Sequence, residues 1–193
     1  MPFRPEVGDE ITIEGVTYTF TPHPIAPGVP YGQTGRRATI YQLKAANRFW
    51  ALKVFTQAFI TPRIAEGMVR LRAYARLPGL GVCARLVITP ERCAELLAQY
   101  PELNYAVLMT WVPGETWQEL IAGRVEIGPD QSRAFAVGLA RTISEMEARK
   151  IAHCDLSGPN VMTTLDPPTI ALVDVEELYA PTLTRPERLP AGS

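Results

Sequence analysis

Residues 151–176 constrain the fold more than any other stretch. Ile151-Ala-His-Cys-Asp-Leu-Ser-Gly-Pro-Asn-Val-Met162 places His153, Asp155 and Asn160 in one tight loop, and Ile170-Ala-Leu-Val-Asp-Val-Glu176 ends a second apolar run on Asp174. Two acids and an amide carried by two short strands form a set of hard oxygen donors, suited to a divalent cation and a phosphate. Each acid taken singly reads as a turn cap, a common use of Asp and Asn. Their joint occurrence, with an apolar strand, a turn at Asp166-Pro-Pro168 and a further apolar strand between Asn160 and Asp174, is far more specific.

Length and composition narrow the classes. A chain of 193 residues fits one domain or two small lobes sharing a cleft. Its 47% hydrophobic and 20% charged residues are ordinary globular values. The formal charge of −1 supplies no basic field for nucleic acid, so no nucleic-acid partner is expected. Cys83, Cys93 and Cys154 are odd in number and lack metal-like spacing, which reads as reduced thiols in a cytoplasm. The N-terminus lacks the apolar core of a signal peptide, and no apolar run approaches the roughly 20 residues of a membrane span, so no membrane association is expected.

Hydrophobic periodicity sets the remaining elements. Residues 11–20 alternate around Glu14-Gly15 and predict a hairpin. Four prolines break 22–30, and two strands follow over 31–43 and 48–55, joined by a turn at 45–47. Ile64, Met68, Leu71 and Ala75 predict a helix over 62–76. A strand at 86–89, a helix from the cap Thr89 to Gln99, and a buried strand at 105–109 come next. Beyond the linker at Pro113-Gly114, helices are predicted over 115–123 and 131–150, the latter with Phe135, Leu139, Ile143 and Met146 on one face. Strands at 161–163 and 170–173 flank the turn, and the tail from Tyr179 reads as irregular. Strands dominate before Met109 and helices after it, giving an α+β chain of two lobes that cross near Thr110-Trp111-Val112.

Lys53, in Ala51-Leu52-Lys53, lies in an apolar strand where a buried ammonium needs a partner. The alternative is an edge-strand lysine with its stem over the sheet. Gly32-Gln-Thr-Gly-Arg-Arg-Ala38 is a turn in which Gly35 could let backbone N–H groups approach phosphate oxygens, with Arg36 or Arg37 adding charge.

These motifs together resemble the bacterial branch of the protein-kinase-like superfamily, from about Val29 onward and most closely over 151–176. His153-Cys-Asp-Leu-x-x-x-Asn160 is similar to the kinase catalytic loop H-R-D-L-x-x-x-N, and Asp174-Val-Glu176 to the D-F-G turn. Ala51-Leu52-Lys53 resembles the V-A-I-K strand, and the Gly35 turn a degenerate G-x-G-x-x-G. The resemblance implies a bilobal fold with a strand-rich N-lobe and a truncated helical C-lobe. It divides the chain into a 1–20 extension, a 21–109 N-lobe, a 110–112 hinge and a 113–193 partial C-lobe.

It also implies the cofactors ATP and Mg²⁺ and a set of roles. Asp155 would orient the acceptor hydroxyl and take its proton, with His153 bracing the loop. Asn160 and Asp174 would ligate the metal, and Lys53 would hold the α- and β-phosphates. Met109 would be the gatekeeper, with the backbone of Thr110 and Val112 on adenine. Ile40, Ala51 and Met162 would sandwich the base, and Glu115 would reach the ribose. Glu66 is the only acid in the 62–76 helix that could pair with Lys53, although it lies about 200° round the helix from Ile64.

The chain departs from the pattern at Cys154, where arginine would read an activation-loop phosphate; at Ser157, where Ser/Thr kinases commonly carry lysine; and at Glu176, in place of glycine. The chain stops 19 residues after Asp174, which suggests a minimal domain or a fragment of a longer protein. An uncovered apolar face on the 131–150 helix, or a homodimer, is expected in either case. The function expected first is phosphotransfer to a protein Ser/Thr hydroxyl. A pseudokinase interaction module and a small-molecule kinase are the alternatives.

Overall fold

A computed structural model describes residues 3–60 and 62–183, with backbone alone at 62–64. The expected tail beyond 183 and the side chain of Ile64 lie outside the described residues. The chain is α+β and forms two compact units, Met1–Val69 with Arg85–Trp111, and Arg70–Ala84 with Val112–Ser193.

The first unit holds strands β1 (Glu10–Ile13), β2 (Val16–Phe20), β3 (Gly32–Thr34), β4 (Ala38–Ala45), β5 (Arg48–Phe55), β6 (Arg85–Val87) and β7 (Val107–Thr110), with most of helix α1 (Pro62–Arg70) and all of α2 (Pro90–Gln99). They make a sheet in the order β1-β2-β4-β5-β7-β6, with β3 pairing onto β4. Two-residue turns with positive φ, Glu14-Gly15 and Ala46-Asn47, close the β1–β2 and β4–β5 hairpins. Their left-handed backbone matches the right-handed strand twist, as two-residue hairpins require. The run expected over 31–43 is interrupted at 35–37, where β3 turns back on β4. Ile11, Ile13, Phe20, Leu43, Leu52, Ile88, Leu103 and Leu108 form the core. Each such side chain stabilises by about 1.5–3 kcal/mol relative to exposure.

Helix α1 is shorter than its periodicity predicts. After Arg70 the chain tightens into a 3₁₀ turn, Leu71–Tyr74, which buries Leu71 and gives the last carbonyls nearer partners. Thr89 caps α2 through its backbone, its carbonyl accepting from the N–H groups of Arg92 and Cys93. Its hydroxyl turns instead to the Glu91 carboxylate and holds it below the usual carboxylate range, together with a backbone N–H.

The second unit contains β8 (Glu115–Thr116), α3 (Trp117–Ala122), α4 (Pro129–Ala148), β9 (Val161–Leu165) and β10 (Pro168–Leu172), with the three strands in the order β10-β9-β8. Helix α3 starts two residues later than expected. Thr116 and Glu119 form a reciprocal capping box, and Glu115 pairs with Thr163 as a strand residue. In α4 the buried positions are Phe135, Thr142 and Met146, with Leu139 half-buried, whereas Ile143 is 40% exposed and Val137 61%. The inward stripe therefore runs through 142, and Ile143, one residue or about 100° further round, leaves it. Among the described residues no helix is long and apolar enough to cross a membrane.

Candidate active site

The His153 loop is tied down from both ends. Helix α4 stops at Arg149, Lys150 takes a positive φ, and Ala152 exchanges two backbone hydrogen bonds with Tyr179. His153 is 4% exposed, and its Nε2 lies 2.9 Å from the Val173 carbonyl, to which only an N–H can donate. That contact fixes the proton on Nε2 and leaves Nδ1 buried without a described partner. Cys154 follows at φ 65, a left-handed conformation that bulky residues avoid and that recurs at functional sites.

Asn160 locks the other side. Its Nδ2 donates to the Asp155 carbonyl at 2.7 Å, and its own carbonyl accepts from Val173 N–H at 3.0 Å. Val173 is thus held through its N–H by Asn160 and through its carbonyl by His153. The next residue, Asp174, adopts φ 58 and ψ 49 and is exposed. Aspartate tolerates this region better than most residues, because its short polar side chain can bond locally. The β9–β10 register, Val161 opposite Leu172, brings Asn160 and Asp174 to the same end of one hairpin. Asp155 is half-buried, and no described hydrogen bond engages its carboxylate.

Asn160 and Asp174 are the residues of this hairpin whose oxygens could hold a hard divalent cation. Asn160 has its nitrogen committed to Asp155, so its amide oxygen is the end left for a cation, and Asp174 adds a carboxylate. Magnesium typically takes one or two protein carboxylates, with phosphates and waters completing its octahedron. Among the described residues no group of three or more His, Cys, Asp or Glu is placed to hold a metal ion.

Two further candidates lie in this unit. Met162 is half-buried opposite Ala171 on β9, and Glu115 is exposed on β8, where its carbonyl accepts from the Thr163 hydroxyl at 2.8 Å. Val112 is half-buried at the start of the segment leading into β8.

In the first unit, Lys53 is 5% exposed, opposite Ile40 on β4 and Val107 on β7, with Nζ 5.3 Å from the Phe55 ring centre. Strand β5 lies between β4 and β7, so Lys53 is not an edge-strand lysine. Ala51 sits two residues away on the same face and pairs with Met109, and Trp50 pairs with Thr110. Ile40, Ala51, Lys53 and Met109 are thus neighbours on three adjacent strands. Gly35 is exposed at the β3–β4 turn, but its N–H is committed to the Ala38 carbonyl at 2.9 Å. Arg36 is exposed, and the Arg37 guanidinium stands 5.8 Å over Phe59. Glu66 is exposed on α1, whose buried side carries Ala65 and Met68.

Two residues escaped the sequence reading. Arg85 is 6% exposed beside Met109, with Nη2 3.8 Å from the methionine sulfur. Gly114, read as part of a linker, has φ 99, and a Cβ there would stand 1.9 Å from the Thr163 carbonyl oxygen. The Pro-Gly pair was its only sequence signal; Arg85 gave none.

No family model matches the chain. Among curated proteins it is similar to the serine/threonine-protein kinase ppk25 of Schizosaccharomyces pombe, with 30% identity over 115 residues, or 59% of this chain. The match spans 26% of the yeast kinase, so the chain corresponds to about a quarter of that relative's length.

Proposed function

We propose that the chain is a kinase-like phosphotransferase that uses ATP and magnesium, built as a bilobal kinase-like fold. The observation that carries this reading is the double clamp on Val173. It ties the loop that carries Asp155 to the strand end that carries Asp174. The similarity to a yeast serine/threonine kinase supports the same class.

In this reading Lys53 takes the α- and β-phosphates, and Ile40, Ala51, Met109 and Met162 line the base. The backbone of Thr110 and Val112 and the Glu115 carboxylate orient the nucleoside. Asn160 and Asp174 hold magnesium, which neutralises charge on the phosphates when bound. Asp155 accepts the proton of the acceptor hydroxyl as its oxygen bonds to the γ-phosphorus and ADP departs. A Ser or Thr hydroxyl of a protein is the proposed acceptor. General-base assistance of this kind contributes about 10²–10⁴-fold.

A second reading, a pseudokinase acting as an interaction module, draws on two observations. The Gly35 amide is already satisfied within its own turn, and Glu176 occupies the 3₁₀ turn directly after Asp174. A thermal-shift titration separates the two. ATP with magnesium should raise the melting temperature, and Asp155→Asn should abolish transfer while keeping that shift. No shift with ATP under either condition overturns the phosphotransferase reading. A shift independent of magnesium favours the binding module.

A further inference from the structure

Strand β1 is an outer strand of the seven-stranded sheet. Its hairpin has a two-residue turn, so Ile13 and Val16 form the hydrogen-bonded pair nearest the turn. Alternation along an antiparallel ladder then aims the backbone N–H and C=O of Thr12 and Glu10 away from β2. That outward edge lines a groove of about 520 Å³ whose opposite wall is α2. Natural sheets usually cover or charge such an edge. Here the charge is mostly acidic: Glu10, Glu14, Glu91 and Glu95 line the groove with one cation, Arg92. Arg92 and Glu14 neutralise each other, with Nη2 2.6 Å and Nε 2.8 Å from Glu14 Oε1, which leaves the carboxylates of Glu10, Glu91 and Glu95 as the groove's net charge. A second hollow shares Glu10, Ile11, Gln99 and Tyr100 with the groove and is bordered by Asp9, Glu102 and Arg4.

We infer that the groove between β1 and α2 docks an extended basic peptide segment, which adds to the sheet as a strand alongside β1. The outward groups of Glu10 and Thr12 supply main-chain hydrogen bonds, the usual source of affinity in strand addition. The carboxylates select lysine or arginine at the alternate positions that face them. The occupant is a segment of another protein, and none of the proposed phosphotransfer residues lines the groove.

The probe is a fluorescein-labelled hexapeptide alternating lysine and valine, with a glutamate–valine peptide as control, read by fluorescence anisotropy on the full chain. The lysine peptide should bind saturably, more weakly as salt rises, and the glutamate peptide should not bind. Thr12→Pro removes an outward N–H and the 3.3 Å hydroxyl contact with Thr17, but no backbone hydrogen bond of the β1–β2 ladder, and proline is tolerated at such a position on an edge strand. It should weaken binding at least tenfold with the melting temperature nearly unchanged. The double variant Glu10→Lys with Glu95→Lys should do the same through charge, and it tests the idea independently should Thr12→Pro fold poorly. Equal binding of both peptides, or undiminished binding by the charge-reversed variant, overturns the inference. So does a sedimentation dimer that Thr12→Pro abolishes and the lysine peptide does not displace, because the occupant is then a second copy of the chain.

Discussion

The Asn160 side chain donates to the backbone carbonyl of Asp155 across 2.7 Å, so the amide and the acid of this loop are one mechanical unit. Asn160→Ala removes that bond and the amide oxygen together. A loss of about 1–2 kcal/mol in unfolding free energy is expected from the hydrogen bond alone. Transfer should fall further than stability does, and the magnesium concentration for half-maximal rate should rise. Asn160→Asp keeps an oxygen donor but cannot donate to the carbonyl. It should recover magnesium use better than alanine while remaining less stable than the parent. Unchanged magnesium dependence in the alanine variant would remove Asn160 from the metal site.

His153 is buried and its Nε2–H serves the Val173 carbonyl, so it acts on Asp174 through one peptide group. His153→Phe fills the space but leaves that carbonyl without its donor, at a cost of about 1–3 kcal/mol. Asp174 loses one of the two restraints on the residue before it. Magnesium-dependent activity should drop more than ATP affinity, measured as a change in kcat with little change in KM for ATP. A variant equal to the parent in denaturant midpoint and kcat would show that the clamp is dispensable.

Gly114 makes the sharpest stability prediction. At φ 99 a side chain is strained, and a Cβ 1.9 Å from the Thr163 oxygen cannot coexist with the β8–β9 pairing. Gly114→Ala should cost about 3 kcal/mol or more, the tail of the distribution for single substitutions. Gly28→Ala is the control: nothing lies within 4 Å of its Cβ position, and a change within about 0.5 kcal/mol is expected. Paired denaturant curves for the two variants decide the point.

Local chemistry explains which parts of this molecule could be read in advance. The β4–β5 hairpin, α2, α4 and the β9–β10 hairpin announce themselves by alternation, a proline at the helix start, or turn residues between apolar runs. The His153–Asp174 stretch was legible because its spacing is set within one loop and one hairpin. What stayed hidden depends on partners distant in sequence. Arg70–Ala84 belongs with the second unit, and its Gly79 carbonyl accepts from Leu172 N–H at 2.7 Å. Periodicity over 62–76 carries no sign of that. The two-residue strand β8 exists through Thr163 on β9, and the inward side of α4 at Thr142 rather than Ile143 depends on what the helix meets.

Cys93 makes alkaline pH a probe of the first unit. Burial pushes its thiol above the ordinary range, and the Glu14 carboxylate adds to the effect. The unfolded chain therefore loses this proton at lower pH than the folded one does. The thiol contributes no pH dependence below its unfolded value of about 8.5; above that value stability falls until the folded thiol also ionises. Burial likewise raises the Tyr18 and Tyr41 hydroxyls, but they remain in a Cys93→Ala variant, so the difference between the two proteins isolates the thiol. Between pH 7.5 and 10 the parent's denaturant midpoint should decline more steeply than that of Cys93→Ala. The stability gap between them should narrow as the pH rises. Parallel curves across that range would mean that Cys93 ionises equally well in the folded and unfolded chain.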